Sequence, residues 1–540
     1  MPLVRGDLLR ARRVVPVRIE PSLADCNHAR RILLAGHLNA PTPLTNLLQH
    51  PLWQADSLGS PLPDCEYGVS VSLPLWQHVI GYEEKDPAVV SKFRSGYPRF
   101  CCPPAIGELF ASAEKKHATK GERALVFPRV LHAERCLEYV MERSELEPDQ
   151  CRATEYEKTN PLGVAIFPEA HHALARQFWR FCGEVVSTRQ AADALGKAKL
   201  STTKEDGQAA HRTLRQRLAQ LSGQLPDDVF LFPSGMAATY AVHRMLLDLF
   251  RHQRTMQLDF PYVDVLKLQQ QFGRGCIFFP VMDDADYDAV AARLKQEPIA
   301  GVFSEIPTNP LLRCVDYERL KSFSGTTPLV IDDTIGTIAN VDAFRFADVV
   351  TTSLTKAFSG TGDLMAGSVI INSSSPHGPA FRKWMRGHGG HQLFHADAVA
   401  LEENSRDFAD RVKQATSNSI ALYHALKGHP KVGRLWHTIN EGGSGYAKVM
   451  RHEQAHSTLF SMTLKEAAEA PRFYDALRVC KGPSLGTNFT LACPYTLLAH
   501  YDELDWAESC GVPRDLIRVS VGVEPVEDLI QRFHSALDAA

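Results

Sequence analysis

Five short apolar runs in the middle of the chain constrain its fold more than any other feature. They occupy residues 228–232, 301–306, 328–331, 348–350 and 368–371. Each run is hydrophobic almost throughout, without regular polar alternation, which is typical of strands whose two faces are both covered. Stretches with helical spacing separate some of the runs. The pattern therefore predicts a large α/β domain in which helices sandwich a sheet.

The regions on either side of these runs predict additional units. Residues 1–65 include five prolines between 41 and 63, which favours an irregular extension. Residues 68–73 alternate with period two, as a strand does. In the last third of the chain, the successive signals are a helix over 398–426, a Gly-rich loop at 442–445, a strand over 458–464 and a helix ending near Ala540. They predict a smaller α+β domain over 396–540.

Composition excludes several classes of protein. Lys and Arg total 59 against 62 Asp and Glu, a net charge of −3, so no overall basic field attracts nucleic acid. The cysteines are scattered without a Cys-x-x-Cys pair, which argues against a disulfide scaffold or a zinc ribbon. No run approaches eighteen apolar residues. The Arg-rich first 31 residues are interrupted by acids, so a solvated arm is favoured over a transit peptide. We expect a reduced, cytoplasmic protein.

Two short motifs match known catalytic patterns but occur in the wrong context. His-Glu-Gln-Ala-His at 452–456 binds zinc only when both histidines share one helix face. Here a strand-like run begins at Thr458, so a polar loop is the better interpretation and no metal is expected. Ser-Leu-Thr-Lys at 353–356 fits a serine acylase motif that belongs at a helix start. In this chain it follows an apolar strand.

The same lysine takes part in a more informative arrangement. Lys356 follows the apolar run at 348–350 and is preceded by the hydroxyl residues Ser353 and Thr355. Asp332 ends another buried run, and Gly235 turns the chain into a helix. Ligands of open α/β sheets bind where strand ends and helix N-termini face one crevice. A phosphate cradle, a buried acid and a lysine together predict a site for pyridoxal 5′-phosphate (PLP).

The order and spacing of these and other motifs resemble the Cys/Met-metabolism family of fold-type I PLP enzymes. The motifs lie at 233–238, 305–313, 330–334, 353–356 and 516–522. Segments at 68–74, 81–84 and 96–100 are most similar to the fungal cystathionine γ-synthase branch. The resemblance covers about 66–540 and implies a mostly parallel sheet of the seven-stranded type. It also implies a large PLP-binding domain over 66–395, with an insertion at about 130–225.

The resemblance implies a role for each matching residue at the cofactor. Lys356 would hold PLP as a Schiff base and transfer protons, and Asp332 would pair with the pyridinium nitrogen. The phosphate ligands would be Gly235, Met236, Ser353 and Thr355. Tyr97 and Arg99 match a Tyr-x-Arg pair that reaches the phosphate from the neighbouring subunit in the family. Without the resemblance, these two would be interpreted as a turn residue and a surface charge.

Three further residues match positions that bind the substrate. Arg518 corresponds to the arginine that binds the α-carboxylate, for which a planar guanidinium is suited. Asn309 corresponds to an asparagine near the PLP 3′-oxygen and the same carboxylate. Ser484 corresponds to a residue beside the lysine and the carboxylate.

Two positions depart from the family pattern. The family stacks the tyrosine of a Tyr-Gly-Gly motif on the PLP ring, whereas Tyr262 is followed by Val263 and Asp264. Tyr262 is nevertheless the predicted catalytic and cofactor-stacking residue. Five residues later, where bacterial relatives use arginine toward the far end of the leaving group, the chain has Lys267. This difference at a substrate-binding position favours O-acetylhomoserine over O-succinylhomoserine.

The resemblance therefore implies PLP-dependent γ-replacement on O-acetyl-L-homoserine through a vinylglycine ketimine. L-Cysteine as nucleophile would give L-cystathionine and acetate. One alternative joins a carbon nucleophile such as a β-keto acid to Cγ, as in specialised fungal metabolism; another is a cystathionine lyase, and a third is a catalytically silent relative. The family also implies a homodimer or homotetramer with active sites shared between subunits.

Overall fold

The computed structural model describes residues 46–157, 161–198, 201–251, 253–388 and 393–540. The Arg-rich start of the chain lies outside the described residues. Within the described residues, no helix combines the length and apolar character needed to cross a membrane.

Strands and helices alternate through most of the described chain. The strands are β1 (Pro61–Leu62), β2 (Ser70–Val71), β3 (Glu122–Phe127), β4 (Arg152–Glu155), β5 (Gly163–Pro168), β6 (Val229–Phe232), β7 (Arg254–Leu258), β8 (Cys276–Phe279), β9 (Ile299–Glu305), β10 (Leu329–Asp332), β11 (Val349–Thr352), β12 (Gly367–Ile371), β13 (Val432–Trp436), β14 (Leu459–Leu464), β15 (Cys480–Lys481), β16 (Leu491–Pro494) and β17 (Ile517–Ser520). The α-helices are α1 (Trp76–Glu83), α2 (Pro87–Val90), α3 (Pro104–His117), α4 (Val130–Met141), α5 (His172–Cys182), α6 (Thr188–Ala194), α7 (Lys204–Ser222), α8 (Gly235–Leu249), α9 (Val263–Gln271), α10 (Asp284–Gln296), α11 (Tyr317–Ser324), α12 (Thr337–Asn340), α13 (Gly378–His388), α14 (His395–Asn404), α15 (Phe408–Leu426), α16 (Thr438–Glu441), α17 (Gly443–Ala447), α18 (Ala470–Ala476), α19 (Tyr495–His500), α20 (Leu504–Ser509) and α21 (Val526–Ala539).

The five apolar runs all become strands of one seven-stranded sheet, in the order β6-β12-β11-β10-β9-β7-β8. Neighbours from β11 to β8 are parallel, as predicted, whereas β12 is antiparallel to both β11 and β6. Parallel neighbours need a crossover, usually a helix. Residues 353–366, between β11 and β12, form turns and no helix, so the chain returns antiparallel.

Both faces of this sheet are covered, which explains why its strands are apolar throughout. Val330 packs against residues of α8 and α13 on one face. Its neighbour Ile331 packs with residues of α10 and α11 on the other. Successive side chains of a strand point to opposite faces, so both must be hydrophobic here. The predicted α/β class is confirmed.

Several polar residues of the predicted motifs lie at one edge of the sheet. β9 ends at Glu305, β10 ends at Asp332, and the turn after β11 carries Lys356. β6 runs in the same direction as β11, because both are antiparallel to β12, so the turn before α8 lies at this edge as well. The carboxyl ends of these strands therefore face one crevice.

Three smaller sheets complete the described structure, and one of them is the two-stranded pair β1-β2. The sheet β13-β14-β17-β16-β15 packs against α15, α18 and α21 and carries Arg518 on β17. The sheet β3-β5-β4 lies partly within the predicted insertion and shares a hydrophobic core with α8 and α9. In that core, Phe178 of α5 meets Tyr240 of α8 edge-on at 5.9 Å. The domain limits 66–395 and 396–540 stay predictions.

The helix predicted over 398–426 is interrupted. α14 ends at Asn404 and α15 begins at Phe408. The Asn404 side-chain amide donates hydrogen bonds to Ser359, Thr361 and Asp363, in the segment between β11 and β12. The helix is therefore interrupted next to Asn404, whose side chain binds the segment between β11 and β12.

One other local prediction was wrong, and another was confirmed only in part. The Gly-rich loop at 442–445 contains the start of α17, where a Cβ on Gly445 would stand 2.6 Å from the Val315 carbonyl oxygen. Glycine is required there for close packing and does not mark a loop. The alternating segment 68–73 pairs as a strand only at Ser70–Val71. The His-rich motif at 452–456 lies in turns before β14, in agreement with the prediction.

Candidate active site

Lys356 lies at the centre of the crevice, between the two larger sheets. Its Nζ donates a hydrogen bond to Ser484 Oγ at 3.1 Å. The same atom is 5.4 Å from the ring centre of Tyr97. Burial of the ammonium group, followed by the charges of Arg518 and Arg99, lowers the pKa of Lys356 to about 7. Near neutral pH, a large fraction of this amine is therefore unprotonated and nucleophilic.

Two carboxylates meet at the adjacent strand ends, because Asp332 of β10 is in register with Glu305 of β9. Asp332 accepts a hydrogen bond from the Thr334 N–H at 2.8 Å, and Glu305 accepts one from the Tyr262 N–H at 2.6 Å. Burial raises the pKa of Asp332, and burial together with the nearby Asp332 raises the pKa of Glu305. A cationic ring nitrogen placed against Asp332 would relieve this desolvation.

The N-terminus of α8 provides an anion cradle at the same edge. Ser234 caps the helix by accepting the Ala237 N–H at 3.1 Å, which leaves the preceding N–H groups of Gly235 and Met236 without intrahelical acceptors. A Cβ on Gly235 would lie 2.7 Å from the Ser353 Cβ. Only glycine therefore lets Ser353 approach the helix terminus, where N–H groups bind phosphate.

Thr355 is held differently from Ser353. Its Oγ1 accepts the Ala366 N–H at 3.0 Å, lies 3.2 Å from the Ala366 carbonyl oxygen and is hydrogen-bonded to the Tyr97 side chain. The hydroxyl that the sequence assigns to the phosphate thus also fixes the lysine turn and Tyr97. Thr355 positions its neighbours in the described structure.

Arg99 is clamped by three groups of its own chain. It donates to Asp264 Oδ2, to the Tyr262 hydroxyl and to the Arg180 carbonyl oxygen, each at 2.7 Å. The Arg180 guanidinium donates to the other Asp264 oxygen at 3.2 Å. Burial alone would raise the pKa of Asp264, but Arg180 and Arg99 hold it below its ordinary value. The departure from Tyr-Gly-Gly therefore supplies a counter-ion for two arginines.

Tyr97 and Arg99 lie at the crevice that the resemblance assigns to them. Tyr97 lies at Lys356, and Arg99 donates to the Tyr262 hydroxyl. The supply of this pair by a neighbouring subunit, which the resemblance implies, stays a prediction.

A second clamp holds the arginine expected at the substrate carboxylate. Arg518 donates to Asn309 Oδ1 at 3.3 Å and to the carbonyl oxygens of Pro483 and Ser484 at 2.9 and 3.1 Å. These bonds orient the guanidinium fork beside Lys356. Arg518, Asn309 and Ser484 are thus brought together as the sequence predicts.

Tyr495 is a residue of this site that the sequence analysis missed. Its ring lies 4.9 Å from the Arg518 guanidinium carbon, and only 3% of its surface is exposed. Its hydroxyl is buried and has no hydrogen-bond partner among the described residues. An aromatic residue at the start of a short helix is usually core packing, so nothing in the sequence distinguished it.

Lys267 forms an ion pair with Glu503. Its Nζ lies 2.9 Å from Glu503 Oε2 and 5.6 Å from the Trp506 ring centre. Glu503 also pairs with His500 Nδ1 at 3.1 Å. The charge of Lys267 is therefore neutralised within the chain.

Taken together, these groups fit PLP: N–H donors for a phosphate, an acid for a ring nitrogen, and a neutral amine for an aldehyde. The part of the chain that the structure describes contains no group of three or more His, Cys, Asp or Glu side chains placed to hold a metal ion.

The Asp264 clamp generates a stability prediction. Asp264→Ala leaves Arg99 and Arg180 buried without their counter-ion and should lower the free energy of unfolding by about 3–5 kcal/mol. Asp264→Asn should cost less, because the amide still accepts hydrogen bonds. Denaturant unfolding of the apoprotein measures both changes.

The matched control is Asp227→Ala. Asp227 also pairs with two arginines, but its side chain is 70% exposed, so its loss should cost under about 1 kcal/mol. Equal effects at Asp227 and Asp264 would contradict the interpretation of the clamp.

Comparisons with known proteins agree with this geometry. The family described as Cys/Met metabolism PLP-dependent enzyme matches residues 203–538, and the fungal trans-sulfuration enzyme N-terminal domain matches residues 105–187. Cystathionine gamma-synthase of Neurospora crassa is 31% identical, over 89% of this chain and 98% of its own length. The cystathionine gamma-synthase-like enzyme iboG1 of Amanita muscaria is 30% identical, over 91% and 98%.

A solved structure, metB of Corynebacterium glutamicum, superposes with a TM-score of 0.53 at 25% identity. The match covers 60% of this chain and 84% of that chain. The fold, the site and the relatives thus lead to one conclusion. The chain belongs to the Cys/Met-metabolism family of PLP-dependent enzymes and is a cystathionine γ-synthase-like member of it.

Proposed function

We propose that the enzyme replaces the γ-acyloxy group of O-acetyl-L-homoserine by L-cysteine, giving L-cystathionine and acetate. The observation that carries the proposal is the position of the Lys356 amine beside the Arg518 clamp, with Ser484 bridging the two. An amino acid held through its α-carboxylate at Arg518 would present its Cα to this amine. A γ-replacement needs such a base, because protons must leave Cα and Cβ and later return.

When bound, PLP supplies an electron sink for the carbanions formed at these carbons. Asp332 would pair with its ring nitrogen and keep it protonated. Gly235, Met236 and Ser353 would bind its phosphate, and Arg99 would add a positive charge. Tyr262 would lie against the ring.

The proposed role of Tyr262 is positioning as a neutral phenol. Burial raises the pKa of Tyr262, and Arg99 donates to its hydroxyl oxygen. A phenol held in this way orients a ring and is a poor general base near neutral pH. Lys356, with its lowered pKa, is the better candidate for proton transfer.

The neutralised Lys267 supports an uncharged leaving group. A succinyl ester carries a free carboxylate, which would need an available cation at the far end of the pocket. Lys267 already pairs with Glu503 at 2.9 Å, so no net positive charge is offered there. An acetyl group requires none.

The choice of cysteine as the nucleophile follows from the relatives of the chain. The Asp264 departure is explained by its two arginines and provides no argument for a carbon nucleophile. Cysteine is proposed because relatives that align over most of the chain, such as the one from Neurospora crassa, are named cystathionine gamma-synthase. The cytoplasmic location and the assembly into homodimers or homotetramers stay predictions.

The lowered pKa of Lys356 predicts a pH dependence for cofactor attachment. Only the unprotonated amine attacks the PLP aldehyde, so the rate of covalent linkage to apoprotein should rise as pH increases toward about 7 and level off above it. Below that pH, the rate should fall about tenfold per unit. Stopped-flow absorbance measures the rate, and borohydride reduction with peptide mass spectrometry locates the linkage.

Lys356→Ala is the control, which should show no reducible linkage and no turnover. Exposed Lys115→Ala should behave like the wild type. A Lys356→Ala protein that keeps both linkage and turnover would overturn the proposed function.

The Lys267–Glu503 pair predicts how acyl specificity can be changed. Glu503→Gln releases the Lys267 ammonium and should raise kcat/KM for O-succinyl-L-homoserine, relative to the acetyl ester, about tenfold, since a hydrogen bond to a charged group contributes roughly 1.5 kcal/mol. Steady-state assays of both esters measure the ratio. The double variant Lys267→Met/Glu503→Gln should lose the gain, and an unchanged ratio in Glu503→Gln would show that Lys267 does not face the acyl group.

A competition assay decides the nucleophile. O-Acetyl-L-homoserine is incubated with equal concentrations of L-cysteine and acetoacetate, and the products are identified and quantified by mass spectrometry. Cystathionine should dominate. A carbon–carbon product in excess would assign the enzyme to the specialised reaction, and release of ammonia and a keto acid from cystathionine would assign it as a lyase.

A further inference from the structure

We propose that the Tyr495 hydroxyl binds the α-carboxylate of the amino-acid substrate together with Arg518. This role rests on the proposed function, in which Arg518 holds that carboxylate. No motif of the sequence assigned a role to Tyr495. Two features of the structure carry the proposal: the hydrogen bonds that Arg518 already makes, and the unpaired hydroxyl that is buried beside it.

The fold places Tyr495 on the same face of its sheet as Arg518. Cys493 of β16 is in register with Arg518 of β17. Side chains two residues apart in an extended segment point the same way, and Tyr495 follows Cys493 by two. The Tyr495 N–H donates to the Leu516 carbonyl oxygen at 3.0 Å, which continues the pairing beyond the strand. The Tyr495 ring is therefore brought against Arg518, with its centre 4.9 Å from the guanidinium carbon.

The hydrogen bonds of Arg518 leave its guanidinium short of donors for a carboxylate. Nη2 donates to the carbonyl oxygens of Pro483 and Ser484, and Nη1 donates to Asn309 Oδ1. Bidentate binding of a carboxylate takes two parallel N–H groups from neighbouring nitrogens, and both such pairs in a guanidinium include Nη2. A carboxylate would therefore compete with two backbone carbonyls for Nη2. A remaining N–H of Arg518 can bind one carboxylate oxygen, and the other oxygen needs a different donor.

The Tyr495 hydroxyl is a donor of this kind. Its oxygen is buried and has no hydrogen-bond partner in the part of the chain that the structure describes. A buried hydroxyl without a partner costs free energy, so a ligand oxygen that accepts its hydrogen bond is favoured. Tyr495 is 3% exposed and Arg518 is 4% exposed. The hydroxyl thus belongs to a side chain as deeply buried as the arginine that the carboxylate must reach.

The hydroxyl is also close to other residues of the crevice. Burial raises the pKa of Tyr495, Arg518 opposes this shift, and Glu305 and the Tyr262 hydroxyl add to it. Glu305 ends β9 at the crevice and accepts the Tyr262 N–H. The phenol therefore stays protonated near neutral pH and remains a donor. Arg518 and Tyr495 would then each bind one oxygen of the carboxylate.

Titration with a matched pair of amines tests the proposal. L-2-Aminobutyrate has the α-carboxylate of the substrate but no leaving group at Cγ, and 1-aminopropane is the same molecule without the carboxylate. The change in absorbance of the PLP-loaded enzyme on binding measures the affinity for each. Tyr495→Phe should weaken the binding of L-2-aminobutyrate about tenfold, as expected for one hydrogen bond to a charged group. Its affinity for 1-aminopropane should equal that of the wild type.

Two outcomes of the titration would overturn the proposal. One is an unchanged affinity of Tyr495→Phe for L-2-aminobutyrate. The other is an equal loss for both amines, because it would show a general disturbance of the site and not a lost contact with the carboxylate. Neither amine can undergo γ-replacement, so the result does not depend on whether the enzyme makes cystathionine.

Unfolding of the apoprotein in denaturant provides a second test, with Tyr474→Phe as the matched control. The Tyr474 hydroxyl is also buried against the smaller five-stranded sheet, but it donates to the Leu73 carbonyl oxygen at 2.8 Å. Tyr474→Phe should therefore unfold at a lower denaturant concentration than the wild type and bind L-2-aminobutyrate normally. Tyr495→Phe should unfold at the same or a higher concentration, because its hydroxyl has no hydrogen bond to lose among the described residues.

A loss of stability in Tyr495→Phe as large as that in Tyr474→Phe would overturn the proposal. It would show that another group of the folded protein already binds the Tyr495 hydroxyl.

Discussion

The buried carboxylate of Asp264 is the interaction on which the active site depends most. It receives Arg99 from the loop before α3 and Arg180 from α5, and it stands at the start of α9 beside Tyr262. A completely buried charge is tolerated only when its partners are held in place. Three parts of the chain are therefore brought to one point, and the tyrosine expected at the cofactor ring is oriented by the same arginine.

The pKa shifts in the crevice follow from which charged groups are buried next to one another. Lys356 lies between two arginines and out of water, which disfavours its charged form and keeps it nucleophilic. Asp332 and Glu305 are desolvated side by side, which favours a cationic partner. Neither effect needs a special residue type. Both arise because the strands of a parallel sheet end at one edge and bring their polar termini together.

Much of the fold was predictable because continuous apolar runs have few interpretations. The five runs became five strands, and the residues at their ends, Asp332 and Lys356, lie where strand ends were expected. The direction of β12 was not predictable, because it depends on whether a connection contains a crossover helix. The break at Asn404 was missed for a similar reason: its amide bonds a segment more than forty residues away. Tyr495 was missed because an aromatic residue in the sequence does not indicate which arginine it contacts in the fold.

The sequence by itself determined the α/β class, the cofactor family and the residues that form the cradle, the acid and the amine. These depend on local order: a strand followed by its turn residue, or a glycine before a helix. The tertiary structure alone decided that Lys267 is neutralised by Glu503, that Asp264 binds two arginines, and that Arg99 binds the Tyr262 hydroxyl. Each of these is a contact between segments far apart in the chain, and the free energy of burying a charge depends on the partner that folding brings to it.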